Sequence, residues 1–356
     1  MEEVPVLHRY RATDRAELLG FIREVFPVDV STRVIAQWAW KYEANPFTPP
    51  EGSTVNFIRI GSKLVGLVAG FRLKMWVGGI ECIGECRGTW VVHPDYRGRN
   101  LWRRVNYSQP TDPPILIGWS RLPARVSMGV DWVSDPVRPL LRVLDAGPLL
   151  AHFTHSRRLA SIGTSASAAA RMVSEPFRRT SHGRSGAVVR LDAFDDRVDA
   201  PWERARRANS AMVVRDHRYL NWRYCERPDA TYILYGFERA SELDGFLVAR
   251  AGTYRGMRWG YLVDFLAAEN SSDVLSSLIR AALDEFHSLG IAAVTCYATD
   301  AAARSALFRS GFFPAAQRKR IRFVHFIRPE RSDLAKFTAL KPWYLTMGDG
   351  DLEMAP

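Results

Sequence analysis

The spacing of hydrophobic residues near the start of the chain predicts helices. Leu18, Leu19, Ile22 and Phe26 fall on one face of a helix with 3.6 residues per turn. The stretch "STRVIAQWAWKY" has the same spacing and begins with residues that favour an N-cap. Prolines soon after it end the helix. The chain therefore opens with two predicted amphipathic helices.

The pattern then changes to that of β-strands. Three runs rich in β-branched and aromatic residues follow: "TVNFIRI", "KLVGLVAGFRLKMWV" and "IECIGECRGTWVVH". The connections "IGSK" and "VGG" are typical of tight hairpin turns, so we expect an antiparallel meander over residues 54–93. A short buried strand, "PPILIGW", comes next, and residues 123–147 predict a helical return that Pro136 interrupts.

The second half of the chain repeats this order of elements. A helical pattern precedes three strand patterns, a long amphipathic helix, a strand, another helix and a last strand. The phrase "WKYEANP", which starts at Trp40, returns as "WRYCERP" at Trp222, about half a chain length later. Similarity at that spacing indicates a tandem duplication of one α+β unit. We interpret the Trp and Tyr as packing residues at a helix end, with the cation near the helix C-terminus.

Composition divides these two units. Residues 156–190 are rich in Ser, Ala, Gly and Arg, which is typical of a linker, although a basic arm for a polyanion has the same composition. The sequence thus predicts an N-terminal domain over residues 1–155, a linker over 156–190 and a C-terminal domain over 191–356.

Charge and cysteine content limit the function classes. The chain has 356 residues, a net charge of +11 and a pI near 9.7, which fits a nucleic acid or a phosphate-rich cofactor as partner, or only a solvated surface. No apolar run approaches the roughly 20 residues of a membrane helix, and the acidic N-terminus is unlike a signal peptide. The 4 cysteines form no C-x-x-C pair, so we expect reduced thiols, no bound metal and a cytoplasmic protein.

The segment "TWVVHPDYRGRNLWRRV" carries the clearest chemistry. A strand runs into a turn that contains glycine and arginine, and the turn opens a helix. Free backbone amides at a helix start, beside Arg97 and Arg99, form an anion site that suits a pyrophosphate. The strand that leads into the turn would carry the reactive end of the same ligand.

These residues resemble the GNAT acyltransferase superfamily, whose members have a strand, a V-x-P-x-Y-R-G-x-G-type turn and a helix. The family also ends with a helix that runs into "GF", which Gly311 and Phe312 match. The element order fits in both halves, so the chain resembles a tandem double-GNAT protein. The resemblance implies an α+β fold of two domains, each a twisted, mostly antiparallel sheet flanked by helices. The residues that match the turn are Val92, Pro94, Tyr96, Arg97 and Gly98.

The resemblance implies an acyl-CoA donor, such as acetyl-CoA, bound at this turn. Asn100 and Trp102 stand where the family has small residues, and a bulky side chain there restricts the approach of the pyrophosphate. The second half lacks the turn, so we expect it to bind no donor and to shape the acceptor groove. The donor-binding residues implied are Val91, Val92, Arg97, Gly98, Arg99, Asn100, Leu101 and Trp102.

The implied reaction is direct amide formation, with backbone amides near Val91 and Val92 polarising the acyl carbonyl. Glu85 and His93 are the candidate bases for the amine proton. Family members often use a tyrosine before the "GF" element as acid, and Tyr107 is a substitute for it elsewhere in the chain. Three further residues were considered and favour structural roles or none: Asp264 as a groove carboxylate, and Asp349 with Asp351 as a metal motif.

Three functions therefore remain open. The first is an N-acyltransferase that moves an acyl group from CoA to a primary amine of a small molecule. The second is a transferase of the same fold that takes an aminoacyl group from charged tRNA in a biosynthetic reaction, which the positive charge favours. The third is a binding module that has kept the fold without the chemistry. The sequence predicts neither the acceptor nor the oligomeric state.

Overall fold

The computed structural model describes residues 4–48, 54–99, 101, 113–120, 132–179, 186–315, 321–328, 330–337 and 343–350. Two mostly antiparallel sheets with helices on their faces form the molecule, so the predicted α+β fold class is confirmed. The helices are α1 (Arg15–Val25), α2 (Val28–Trp38), α3 (Ala146–Thr154), α4 (Arg157–Arg179), α5 (Asp199–Ala208), α6 (His217–Leu220), α7 (Ser272–Ser288) and α8 (Ala301–Arg309).

The first sheet has the strand order β1-β2-β3-β4-β5-β15-β6, and β9 with β16 extends it beside the far end of β3. The predicted meander is confirmed as β2, β3 and β4. Its tight turns need glycine, because Gly61, Gly78 and Gly79 have φ values of +58°, +64° and +90°. Its strands are β1 (Val6–Arg9), β2 (Asn56–Ile60), β3 (Lys63–Val77), β4 (Ile80–Val92), β5 (Ile115–Ser120), β6 (Val133–Pro136), β9 (Ala211–Val213), β15 (Arg322–Ile327) and β16 (Trp343–Tyr344).

The second sheet repeats the arrangement in the order β14-β7-β13-β12-β11-β10-β8. Its central meander, β10 to β12, corresponds to β2 to β4 of the first sheet. The strand β12 then pairs in parallel with β13, as β4 does with β5. The strands are β7 (Leu140–Val143), β8 (Ala187–Leu191), β10 (Ile233–Arg239), β11 (Glu242–Tyr254), β12 (Met257–Ala267), β13 (Ala293–Cys296) and β14 (Phe313–Pro314).

The two units exchange strands. β7, from the first half of the chain, pairs with β13 of the second sheet, and β15, from the second half, pairs with β5 of the first sheet. Each exchanged strand occupies the corresponding place in the other sheet. The sequence boundaries at residues 155 and 191 therefore do not separate two independent structural units.

Two sequence predictions differ from the structure. The expected helical return contains two strands, β6 and β7, because Pro136 and Pro139 break the helical pattern and each sheet needs a further strand there. The expected linker contains α4, and β8 follows it before residue 191. Alanine supplies the helical propensity that the Ser- and Gly-rich composition obscured.

The repeated phrase lies where the two units meet. Residues Ala39–Glu43 and Asn221–Cys225 each form a π-helical turn, which continues α2 and α6 respectively. Trp40 and Trp222 stack with ring centroids 5.0 Å apart, and each indole donates to the other's backbone carbonyl, at 2.7 and 3.2 Å. The predicted packing role of this phrase thus takes the form of a local twofold contact between the halves.

Candidate active site

The strands β4 and β5 separate partway along their length. They pair in parallel over only 3 residue pairs, which end at Arg87 and Gly118. Just beyond, a β-bulge leaves Gly88 as an extra residue opposite β3. Among the described strands, none pairs with residues 89–92 of β4 on the β5 side. A V-shaped gap, which we call the first gap, therefore opens at the bulge.

Alternation along β4 decides which backbone groups face the first gap. The amide of His93 donates to a β3 carbonyl at 2.9 Å, so this residue faces β3. Because alternate residues of an antiparallel strand face opposite sides, Val91 also faces β3, whereas Trp90 and Val92 face the gap. The Val92 carbonyl accordingly accepts a bond from Arg97 Nε at 3.3 Å. Of the two valines predicted to hold the donor carbonyl, Val92 has the suitable orientation.

The turn after β4 presents two arginines to solvent. Pro94–Tyr96 form a short 3₁₀ turn, and Arg97, Gly98 and Arg99 follow it, all exposed. Gly98 has a φ of +81°, which a residue with a side chain adopts only with strain. Arg99 lies 5.0 Å from the centre of the tyrosine ring, and Leu101 is buried against strands β2 and β3. The turn is therefore apolar on its inner side and cationic on its outer side.

His93 connects this turn to helix α1. Its Nε2 lies 3.1 Å from Glu24, and its Nδ1 accepts the backbone N–H of Asp95 at 3.3 Å. Because Nδ1 accepts, a neutral ring carries its proton on Nε2 and donates it to the carboxylate. Neither nitrogen is then placed to take a proton from an amine. These contacts favour a role for His93 in holding the turn, and its role as a base stays a prediction.

Glu85 is a buried, ion-paired carboxylate, whereas its non-catalytic interpretation from sequence was an edge or surface position. It is 1% exposed on the central strand β4. Arg87 Nε lies 2.9 Å from one carboxylate oxygen and Arg72 Nη1 lies 3.7 Å from the other. The two guanidinium groups thus occupy the side chain on which proton abstraction would depend. A catalytic role for Glu85 also stays a prediction.

Several predicted residues lie outside the described part of the chain. Asn100, Trp102 and Tyr107 are among them, so their predicted roles stay predictions. The "GF" element of the second half does follow the expected pattern. Helix α8 ends at Arg309, Gly311 has a φ of +79°, and Phe312 is buried.

The second half contains a corresponding gap, which we call the second gap. β12 and β13 pair in parallel up to Leu262, and Val263 is the extra residue of a bulge opposite β11. Here the C-terminal segment of the chain lies in the gap. Tyr344 donates its hydroxyl to the carbonyl of Phe265 at 2.8 Å. The strand edge that would hold a donor is therefore already bonded, which favours the prediction that this copy binds none.

A buried ionic network fixes that C-terminal segment. Arg215 is fully buried and bonds Asp264 at 3.0 and 3.2 Å and both oxygens of Asp349 at 2.9 Å. Thr346 donates its hydroxyl to Asp264 at 2.8 Å, as does Tyr224 at 2.9 Å. Asp264 is thus the structural carboxylate that the sequence favoured.

The charges in this network shift one another's protonation. Burial by itself lowers the pKa of Arg215, but Asp264 and Asp349 hold it well above its usual value. Burial raises the pKa of Asp349, and Arg215 opposes that shift. The described residues contain no group of three or more metal-ligating side chains, and Asp349 serves Arg215 instead.

Sequence reasoning did not find Lys41, Arg215 or Trp119 as site residues. Lys41 is buried beside the bulge of β4, where a side-chain carbon on Gly88 would lie 3.4 Å from its Nζ. Trp119, on β5, donates its indole N–H to the carbonyl of Asp349 at 3.2 Å. The repeated Trp-cation-Tyr phrase was the signal for Lys41, but its cation was assigned to a helix end.

Solved structures show which fold this is. An N-myristoyltransferase from Saccharomyces cerevisiae with bound myristoyl-CoA superposes with a TM-score of 0.55 at 13% identity, over 90% of this chain and 82% of that chain. A GCN5-related N-acetyltransferase from Anabaena variabilis gives 0.58 at 12% identity, over 90% and 72% of the two chains. One from Kribbella flavida gives 0.51 at 15% identity, over 90% and 70%.

The chain has the GNAT fold. Its two units together cover most of the length of each of these double-domain neighbours, so the sequence resemblance is confirmed at the level of the fold. No family model and no curated protein matches the sequence itself. Among the described helices of this GNAT-fold chain, none is both long and apolar enough to cross a bilayer.

Proposed function

We propose that the protein is an N-acyltransferase that uses an acyl-CoA donor and a small-molecule primary amine as acceptor. The observation that carries this proposal is the difference between the two gaps. The second gap holds the chain's own C-terminal segment, whereas the first gap leads directly into the exposed turn of Arg97 and Arg99. A ligand with a diphosphate at one end and a reactive carbonyl at the other fits that arrangement.

In the proposed reaction, the amine nitrogen bonds to the thioester carbonyl carbon, the carbon–sulfur bond breaks, and the proton lost by the amine ends on the CoA sulfur. The backbone N–H groups of Trp90 and Val92 face the gap and stabilise the negative charge that develops on the carbonyl oxygen. Arg97 and Arg99 hold the phosphates. Since Glu85 and His93 are engaged in other contacts, we assign most of the rate enhancement to positioning and to these backbone dipoles.

Equilibrium binding of acetyl-CoA and of a longer acyl-CoA, measured by calorimetry, tests the donor site. Arg97→Ala and Arg99→Ala should each weaken binding about ten- to hundredfold, the loss expected for a charge-assisted hydrogen bond. Arg158→Ala is the matched control, because Arg158 is an exposed arginine on α4, away from the turn. Equal affinities for all three variants and the parent protein would remove the turn from the donor site.

Charged tRNA as the donor is the competing proposal, and the same experiment includes it. Of the basic stretches, 204–207 is the one fully described, and two of its arginines are ion-paired: Arg204 with Asp244 and Arg206 with Glu203. Binding of aminoacyl-tRNA that falls steeply between two salt concentrations, without saturable acyl-CoA binding, would establish the tRNA donor. Binding of neither donor would favour a non-catalytic module.

We also propose that the enzyme acts in the cytoplasm, where acyl-CoA is available. All 4 cysteines are free thiols in the structure, which suits a reducing compartment. Cys82, Cys225 and Cys296 have thiol pKa values that burial raises, so they are poor nucleophiles and need no protection from disulfide exchange. Acceptor identity and a biosynthetic role are the parts of the proposal that turnover assays address.

A further inference from the structure

The repeated turn places the same three side chains at the bulge of each sheet. Tyr42 lies 3.1 Å from the hydroxyl of Thr89, the residue after the first bulge. Tyr224 donates to Asp264, the residue after the second bulge, at 2.9 Å. Because these contacts correspond, the cation that precedes each tyrosine occupies a corresponding place as well. Lys41 in the first half is thus the counterpart of Arg223 in the second.

Arg223 shows what this cation does when its gap is filled. Its side chain is 1% exposed, and it donates to two carbonyl oxygens of the C-terminal segment, those of Gly348 and Gly350. Lys41 is 4% exposed and lies over the ring of Phe71, with Nζ 4.9 Å from the ring centre. Its ammonium therefore lies at the first gap in the position from which Arg223 binds oxygen atoms at the second.

Lys41 and the donor turn lie on opposite faces of the first sheet. Leu101 and Tyr96 of the turn pack with Ile58, whereas Phe71, under Lys41, packs in the cluster that contains Phe57. Neighbouring residues of a strand point to opposite faces, so these two clusters lie on opposite sides of the sheet. A donor held by the turn and a ligand held by Lys41 would meet at the bulge from opposite sides.

We propose that Lys41 binds a carboxylate of the acceptor, so that the acceptor is an amino acid or another amine that carries a carboxylate. This proposal rests on the proposed acyltransferase function. A buried ammonium favours an anionic oxygen over a neutral one, because the ion pair offsets part of its desolvation. Gly88 leaves the space beside Nζ that a ligand needs, since any side chain there would contact both Lys41 and Tyr42.

Turnover with matched acceptors tests this proposal. The panel contains the 20 common amino acids and, for each, the carboxamide and the corresponding decarboxylated amine, with acetyl-CoA as donor and mass spectrometry of the acetylated product as readout. We expect carboxylate acceptors to be preferred about ten- to hundredfold in kcat/KM. Lys41→Met should remove that preference by raising KM for carboxylate acceptors, with the carboxamides unchanged within about twofold, and Lys41→Arg should keep part of it.

Lys336→Met is the matched control, because Lys336 is an exposed lysine that also lies beside a phenylalanine ring, at 5.3 Å. The proposal is overturned if no carboxylate amine is acetylated, if carboxamides react equally well, or if Lys41→Met lowers turnover of all acceptors by the same factor. The last result would place Lys41 on the donor carbonyl instead. Acetyl-CoA binding, measured separately on each variant, keeps these outcomes distinct from a failure of the proposed function: a protein that binds acetyl-CoA but shows no carboxylate preference refutes only the inference about Lys41.

Discussion

Replacing Arg215 by Met should release the C-terminal segment from the second gap. The change removes six hydrogen bonds: two to each of two buried carboxylates, one to the carbonyl of Val213 and one to Thr346. Asp264 and Asp349 would remain as like charges in a site with almost no solvent contact. Breaking a buried ion pair from one side typically costs about 3–5 kcal/mol, so we expect a loss at the upper end of that range.

Thermal and urea unfolding measure this loss. With an unfolding entropy of about 2.1 cal/mol/K per residue, a loss of 4 kcal/mol over this chain lowers Tm by about 5 °C if the two interlocked units unfold together. Limited proteolysis gives a local readout, because the segment that ends at residue 350 should become cleavable at temperatures where the parent protein resists. Arg197→Met is the control, since Arg197 makes its ion pair with Asp195 at the surface, and its transition should stay close to that of the parent protein.

The effect of pH provides a second, independent check. Burial already raises the pKa of Asp349 while Arg215 is present, and without that cation the pKa values of both carboxyls should rise further. A raised pKa in the folded state means that stability is present at low pH and is lost as pH rises through that pKa. The deficit of Arg215→Met should therefore be smaller at pH 5 than at pH 8. A deficit no larger than that of the control, or one that does not change with pH, would refute the proposed role of the network.

Two further perturbations address other contacts. Burial and the hydrogen bond to Glu43 raise the pKa of Tyr10 to about 12, so its protonated form adds stability that is complete below pH 10 and is lost as pH rises towards 12; the difference in unfolding free energy between the parent protein and Tyr10→Phe should fall by roughly 2 kcal/mol over that range, and a constant difference would contradict it. Trp40→Phe and Trp222→Phe each leave a buried carbonyl without its indole donor and should each cost about 1–2 kcal/mol in urea unfolding, with a double variant that is not additive; full additivity would show that the two bonds act separately.

Local patterns predicted the parts of the fold that depend on near neighbours in sequence. The β2–β4 meander follows from β-branched runs joined by glycines whose positive φ values the turns require. Helix α2 was predicted as well, but it begins at Val28 after Pro27 rather than at Ser31 or Thr32. Proline at that boundary defines the start, and Ser31 donates its hydroxyl back to the carbonyl of Val28 within the first turn.

The exchange of strands could not be predicted in the same way. β7 has 4 residues and β15 has 6, and a run that short has no periodicity that separates strand from helix. Their partners, β13 and β5, lie more than 100 residues away in sequence. Nothing local in "PLLRVL" indicates that it completes the other unit's sheet, so the domain boundary was placed at a change of composition instead.

The candidate site divides along the same line. Arg97, Gly98 and Arg99 are adjacent in sequence, and the turn that they form was predicted from that short motif. Arg215, Asp264 and Asp349 come from three distant segments, so no spacing could have connected them. Lys41 was visible within a repeated phrase, yet only the bulge at Gly88, which depends on the register of β3 and β4, shows what it faces.

The two gaps give a physical reason for one copy to bind a ligand while the other does not. Where two parallel strands separate, backbone groups on the inner edge lose their ladder partners, and a buried group without a partner is costly. In the second half the chain meets that cost itself, because Tyr344 bonds Phe265 and the Arg215 network holds the segment in place. In the described part of the first half, the Arg97 side chain bonds the outward carbonyl of Val92, while no strand pairs with that edge. A donor that aligns its own amides along this edge would replace water there, so part of its binding free energy comes from a feature of the fold that the second copy uses for stability.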